Sequence, residues 1–286
     1  MIDKLKKIIV DNADSMNIYL NQDFCDIKKI KISKFYHGQD NPDNKLLFLF
    51  TYQGKIKGII KMMRDSNYND KLEKEYLAQK YMGKLLNNFF VPKIYFKSKI
   101  DRFFVYGEEV IRGEVLGKKT AKRYVKKVYQ YQNELNKEKE IELSKIINIL
   151  ESNQIKDNDY LILLNDLIKH TGKMNKKIYI AKEHGDLTHM NIIKSQSNKF
   201  YLIDWENFGD RIFWGIDFSH YFIRANNIEE SKQFVYYFKE FNKKNNLNLD
   251  LNYFLNLYFL DSIFDLLQKK YRKIYYQTTS QIRSLD

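Results

Sequence analysis

Cysteine, proline and glycine are scarce in this chain. The lone Cys25 excludes an intramolecular disulfide, fits a reducing compartment, and receives no catalytic role. With two prolines, Pro42 and Pro92, and no Gly/Ser-rich stretch, there is no linker between independent domains. The 286 residues therefore read as one bilobal unit able to bury a substantial core. No apolar run reaches the ~18 residues of a membrane span, and the apolar stretch in MIDKLKKIIVDNAD is too short for a signal peptide. The expectation is a cytoplasmic protein. His37, His170, His184, His189 and His220 lack the compact spacing of a metal centre, and no internal repeat is present.

Lysine, by contrast, is abundant. The net charge is +13, but the lysines are spread through nearly every segment alongside Asn and Ile, which reads as compositional bias. Nucleic-acid binding would call for a clustered basic face, so it is disfavoured. A basic surface favours neutral or anionic small molecules, such as sugars and phosphorylated intermediates, over polycationic ones.

The densest chemistry lies in EHGDLTHMNIIKSQSNKFYLIDWE, residues Glu183 to Glu206. Asn191 to Lys194 and Lys199 to Asp204 read as strands separated by turn-forming Ser195-Gln196-Ser197-Asn198. With a two-residue loop at Ser197-Asn198, Gln196 faces Lys199, and Asn191 falls opposite Asp204 with Cβ atoms roughly 5 Å apart. An amide and a carboxylate so placed suit Mg²⁺, which takes one or two protein carboxylates and leaves other positions to phosphate and water. Asp186, five residues before Asn191, would stand beside the metal, where a base can orient an attacking hydroxyl.

His184-Gly185-Asp186 through Asn191, followed by Ile203-Asp204-Trp205-Glu206, resembles the aminoglycoside phosphotransferase and choline kinase superfamily, whose members share the protein-kinase fold. The resemblance implies an α+β bilobal architecture: an N-terminal antiparallel sheet with one main helix over residues 1–111, which binds nucleotide, and a mostly helical lobe over residues 112–286, which holds the catalytic and acceptor sites. It implies Asp186 as catalytic base and Asn191 and Asp204 as Mg²⁺ ligands. Leu187-Thr188 and Trp205-Glu206 most resemble bacterial phosphotransferases associated with surface-glycan metabolism. Gly185 stands where protein kinases carry arginine, Trp205-Glu206 where they carry Phe-Gly, and no Ala-Pro-Glu segment follows. These departures favour a small-molecule kinase.

The upstream sequence supplies the rest of such a site. Lys45 to Tyr52 and Lys55 to Met63 read as strands joined by a tight turn at Gln53-Gly54, and the second carries Lys61, where the superfamily's phosphate-binding lysine resides. Asp70 to Leu86 has helical spacing. At about 100° per residue Glu75 lies in the arc of Leu72, Ala78, Met82 and Leu86, whereas Glu73 falls beside Lys80 and Lys84. A carboxylate on an apolar face needs a cationic partner, so Glu75 is expected to pair with Lys61. Arg102 to Tyr106 reads as a strand, and Glu109 to Gly113 resembles the superfamily's segment between lobes, where the backbone of Glu109 and Ile111 would bind the nucleotide base. Gly38 to Asn41 is the candidate cover over the phosphates. Gly215 to Phe218 resembles a segment whose aspartate, here Asp217, supports the active-site loops.

Lys118 to Leu150, Asn158 to Thr171 and Asn226 to Asp286 are expected to be helical, with Tyr236, Tyr237 and Phe241 packed in the core. The functional expectation is transfer of the γ-phosphoryl group of ATP, with GTP possible, to a hydroxyl of a sugar, amino alcohol or related metabolite. An aminoglycoside O-phosphotransferase, or a non-catalytic kinase-like module that binds nucleic acid or nucleotide, is the alternative.

Overall fold

Gln53 and Gly54 adopt φ of 51° and 75°, the two positive values that a tight hairpin turn requires. They join β2 (Lys45–Tyr52) to β3 (Lys55–Met63), with Tyr52 opposite Lys55. The register then slips: Thr51 faces Ile56, but Phe50 faces Gly58, so Lys57 is the extra residue of a bulge. Glycine is needed there because a Cβ on Gly58 would meet the Phe50 ring at 2.3 Å and the Glu108 carbonyl oxygen at 2.8 Å. Beyond the bulge Leu47 pairs with Lys61 and Lys45 with Met63. Both lysines therefore project from one face of the sheet, because side chains alternate along each strand.

The computed structural model describes residues 1–20, 26–35, 41–117, 124–152, 156–171, 177–211, 213–225, 231–244, 258, 260 and 261. The chain divides into two compact units, Met1–Val115 with Ile192–Asn207, and Leu116–Asn191 with Phe208–Asp286. This interleaved division differs from a single cut after residue 111. Residues 192–207 join the first unit because β9 (Ile192–Ser195) pairs with both β6 (Gly113–Val115) and β10 (Phe200–Leu202).

In the first unit β1 (Ile30–Phe35), β2, β3, β4 (Ile94–Ile100) and β5 (Phe103–Glu108) form an antiparallel sheet of order β1-β2-β3-β5-β4. Helices α1 (Ile2–Asp11) and α2 (Ala13–Leu20) bury Leu5, Ile8, Ile9 and Met16 against Ile30, Phe48, Phe50, Ile60 and Val105 on one sheet face. Truncating a ring such as Phe48 in this layer to alanine would cost about 3–5 kcal/mol. The other face packs Met63, Phe104 and Tyr106 against Leu72 and Tyr76 of α3 (Asn69–Leu85). The buried residues of α3, Leu72, Glu75, Tyr76, Ala78, Gln79 and Met82, recur at three and four, while Glu73 is exposed. The start of α3 is tied to the β4–β5 turn, where Asn69 Nδ2 donates to the Arg102 carbonyl at 2.7 Å and Asn69 Oδ1 accepts from Phe104 N at 3.1 Å.

The second unit is helical but carries its own sheet, of order β11-β8-β7 from Gly209–Arg211, Lys177–Glu183 and Lys137–Glu142. The expected helix over residues 118–150 is thus interrupted. Helix α4 (Val125–Glu134) ends, β7 pairs with β8, and α5 (Leu143–Ser152) follows. A strand written KEKEIE has a charged pattern that does not announce a strand, and charges of this kind suit an edge, which β7 occupies. Helix α6 (Asn158–Thr171) occupies the expected range. The Asp157 carboxylate caps it by accepting from Tyr160 N at 3.0 Å, and Tyr160 OH donates to the Leu150 carbonyl at 3.2 Å. Helices α7 (Ile216–Ala225) and α8 (Ser231–Lys244) follow. Tyr236 is 59% exposed rather than packed in the core. The side chains of Tyr237 and Phe241, the segment Gly38 to Asp40, Cys25, His37 and most of residues 245–286 lie outside the described residues. Among the described residues no helix is long and apolar enough to cross a membrane.

Candidate active site

Two polar constellations stand out, one in each unit. In the first, Lys61 of β3 is buried, and its Nζ lies 2.7 Å from Glu75 Oε1 and 2.7 Å from Glu108 Oε1. The sheet presents the lysine, the inward arc of α3 presents Glu75, and the end of β5 presents Glu108. Gln79, one turn along from Glu75, donates to Glu108 Oε2 at 2.9 Å and to the Pro92 carbonyl at 2.7 Å, fixing the second carboxylate.

Lys45 completes the group. Its Nζ bonds Glu75 Oε2 at 3.0 Å, Glu206 Oε2 at 3.3 Å and Asp204 Oδ1 directly. Burial would push Glu75 toward the neutral acid, but the ammoniums of Lys45 and Lys61 outweigh it and hold the carboxyl at about 2. Burial likewise works against the charge on Lys45, and Glu75, Asp204 and Glu206 reverse that effect, raising its pKa well above the usual lysine value. Lys61 is raised too, since Glu108 and Glu75 overcome its burial. Glu108 and Glu206 are pushed up, chiefly by burial and then by neighbouring carboxylates, against the pull of Lys61 and Lys45 respectively.

Asp204 takes φ of 66°, a left-handed conformation that aspartate tolerates better than most residues. The chain then enters a short 3-10 turn, Trp205–Asn207, whose buried Trp205 donates Nε1 to the Leu202 carbonyl at 3.1 Å. The indole thereby anchors the turn from which Asp204 and Glu206 project.

The hairpin leading to Asp204 differs from expectation by one residue. Lys194 faces Phe200 and Ile192 faces Leu202, so the loop is Gln196 to Asn198, with Asn198 N donating to the Ser195 carbonyl at 2.9 Å and Asn198 at φ of 60°. A three-residue loop closing on a left-handed residue replaces the two-residue loop because asparagine accepts that conformation. The proposed pairing of Asn191 with Asp204 therefore does not form. Pairing ends at Ile192 and Leu202, and Asn191 belongs to the preceding 3-10 turn, His189–Asn191.

In the second unit Asp186 and Asn191 are bonded to each other. Asn191 Nδ2 donates to the Asp186 carbonyl at 2.7 Å and to Asp186 Oδ2 at 3.3 Å, and His220 Nε2 lies 3.2 Å from Asp186 Oδ1. Burial would raise the Asp186 pKa, but the His220 bond and charge, His184 and Asn191 together lower it, so the carboxylate is ionised at neutral pH. Tyr258 OH bonds the other ring nitrogen of His220 at 3.2 Å. The loop itself hangs on Asp217, whose carboxylate accepts from His184 N at 2.6 Å, Gly185 N at 2.8 Å and Tyr131 OH at 2.8 Å. Glu183 in turn accepts from Asp217 N and Gly215 N, both at 2.6 Å, and from Gln132 Nε2 at 2.9 Å. Burial and the neighbouring Asp217 push Glu183 well above the ordinary carboxylate range.

Lys61, Glu75, Glu109, Ile111 and Asp204 thus fall in the first unit, and Asp186 and Asn191 in the second. Glu109 to Arg112 has no regular structure, and Glu109 N already donates to the Lys93 carbonyl at 2.8 Å. Lys45, Glu108 and His220 are prominent in the structure and were not singled out from the sequence.

No family model matches the chain, and no curated protein does. Solved structures do. The GDP and kanamycin complex of APH(2")-IIIa, at 13% identity and a TM-score of 0.55, aligns over 88% of this chain and 92% of its own. Choline kinase LicA from Streptococcus pneumoniae, at 16% identity and 0.54, aligns over 99% and 93%. A putative fructosamine-3-kinase from Haemophilus somnus 129PT, at 16% and 0.54, aligns over 95% of each. The chain shares the fold of these phosphotransferase and kinase structures. In such a kinase-like fold, α+β with an antiparallel sheet unit and a largely helical unit, Lys61 and Glu75 occupy strand β3 and helix α3, and Asp186 the loop after β8.

Proposed function

We propose that the protein transfers the γ-phosphoryl group of ATP, or of GTP, to a hydroxyl of a small molecule. The observation that carries this reading is the Lys61 ammonium, buried on β3 and fixed by Glu75 at 2.7 Å, in a fold shared with phosphotransferases. A buried, ion-paired lysine is a poor choice for stability alone, since its desolvation offsets much of the attraction, but it is a suitable point charge for α- and β-phosphate oxygens.

In this reading the backbone of Glu109 and Ile111 binds the base, with Glu109 using its carbonyl because its N–H serves Lys93. Asp186, held ionised, orients the acceptor hydroxyl and takes its proton late. Asn191 commits its amide nitrogen to Asp186, which leaves its amide oxygen for the ligand role, and Asp204 contributes a carboxylate. These are the hard oxygen donors Mg²⁺ prefers. Mg²⁺ takes only one or two protein carboxylates, and among the described residues no group of three or more His, Cys, Asp or Glu could hold a metal ion. When bound, Mg²⁺ would neutralise charge on the phosphate oxygens.

The net charge of +13 supports neutral or anionic acceptors. The kanamycin complex among the structural relatives keeps an aminoglycoside acceptor as the second reading. Thermal melts with Mg²⁺ plus ATP or GTP test the first step. A nucleotide present at a hundredfold excess over its Kd should add about 2.7 kcal/mol, and Lys61→Ala should reduce the shift. A melt that ignores both nucleotides and responds to RNA or DNA in a salt-sensitive manner would favour the binding module instead.

A further inference from the structure

Lys45 is the hub of its surroundings rather than a rim charge. Its ammonium touches one oxygen from each of three carboxylates, Glu75 on α3 and Asp204 and Glu206 on the turn after β10. Two of these carboxylates, Asp204 and Glu206, project from one short turn, and one or two carboxylates are what a hard divalent cation such as Mg²⁺ takes from a protein. Among the described residues, Lys45 and Lys61 supply two positive charges to the four carboxylates Glu75, Glu108, Asp204 and Glu206. A divalent cation in place of the Lys45 ammonium would raise that compensation from two charges to three.

We propose that the Lys45 ammonium is a stand-in for a divalent cation at Asp204 and Glu206, and that entry of the cation displaces it. The inference rests on the phosphotransferase reading, in which Asp204 is a metal ligand. Lysine suits such an exchange because its charge sits at the tip of a flexible four-carbon stem. Lys61 is not exchanged in the same way, since its carboxylate partners, Glu75 and Glu108, are both buried and include neither Asp204 nor Glu206. A tethered ammonium is a competitor at high local concentration. The cation alone is therefore disfavoured at this site, and Asp204 and Glu206 remain compensated until it arrives.

The test uses the full chain and Mn²⁺ without nucleotide, with free Mn²⁺ read by electron paramagnetic resonance. Lys45→Met, which removes the charge and keeps the bulk of the stem, should bind Mn²⁺ roughly tenfold or more tightly than wild type. Asp204→Asn in the same background should abolish the gain, and Lys45→Arg should bind Mn²⁺ no more tightly than wild type. If the methionine variant fails to melt cooperatively, the wild type carries the test. After reductive ¹³C-methylation, the Lys45 resonance should move on saturation with Mg²⁺ alone and stay fixed in Asp204→Asn. Equal Mn²⁺ affinity of wild type and folded Lys45→Met, or an unmoved Lys45 resonance, overturns the exchange. If wild type then still binds Mn²⁺ together with ATP, the phosphotransferase reading stands without it; no Mn²⁺ binding with or without ATP overturns both.

Discussion

Replacing Glu75 with glutamine keeps the shape of the side chain and removes the charge shared by Lys45 and Lys61. The carboxyl is held at about 2, against an ordinary value of 4.5, and it is fully buried. A depressed carboxyl contributes stability that is present above the unfolded pKa and lost as pH falls through the folded one. The contribution is about 3 kcal/mol at neutral pH, about 2 near pH 3.5 and less than about 1 near pH 2.5. Some of it is recovered in the variant, because Lys61 retains Glu108 and Lys45 retains Asp204 and Glu206. Denaturant unfolding of wild type and Glu75→Gln across this range should therefore show a stability gap of up to about 3 kcal/mol at neutral pH that narrows on acidification below about pH 4.5. A gap under about 0.5 kcal/mol at neutral pH, typical of a surface substitution, would refute the claim that two ammoniums hold this carboxylate ionised.

His220→Ala should raise the Asp186 pKa, because the His220 bond and charge are the leading influences that oppose its burial, so in the proposed mechanism the acidic limb of the pH–rate profile should move to higher pH; an unmoved limb would show that His220 does not lower the pKa of the group that limits the rate. Gly58→Ala should destabilise by about 1–3 kcal/mol, since its Cβ would press on the Phe50 ring and the Glu108 carbonyl, and denaturant unfolding measures this directly. Glu73→Ala, on the exposed side of α3, should leave stability within about 0.5 kcal/mol of wild type by the same measurement.

Features governed by local chemistry were legible in the sequence. Gln53-Gly54 marks the β2–β3 turn, and the bounds Lys45–Tyr52 and Lys55–Met63 follow from it. Helical phase likewise separated buried Glu75 from exposed Glu73. Lys45 was not legible because its face depends on the bulge at Lys57. Without that extra residue, Lys61 would pair with Leu46, and the two lysines would project from opposite faces. A single residue also decided the β9–β10 hairpin, where the left-handed Asn198 lengthens the loop and shifts the register. Glu108 and His220 reach their partners across long sequence separations, 47 residues to Lys61 and 34 to Asp186, which no local spacing encodes. The charged strand β7 owes its conformation to pairing with β8 rather than to its own residues.

Phosphoryl transfer itself tests the central claim most directly. ATP labelled in the γ-phosphate, with Mg²⁺, is offered with a panel of sugars, choline, ethanolamine, fructosamines and kanamycin, and the label transferred to each acceptor is measured for wild type and Asp186→Asn. The account predicts transfer to at least one hydroxyl acceptor by wild type, and turnover lower by roughly 10²-fold or more in Asp186→Asn with nucleotide binding retained. Equal transfer by the two proteins on an identified acceptor would contradict it.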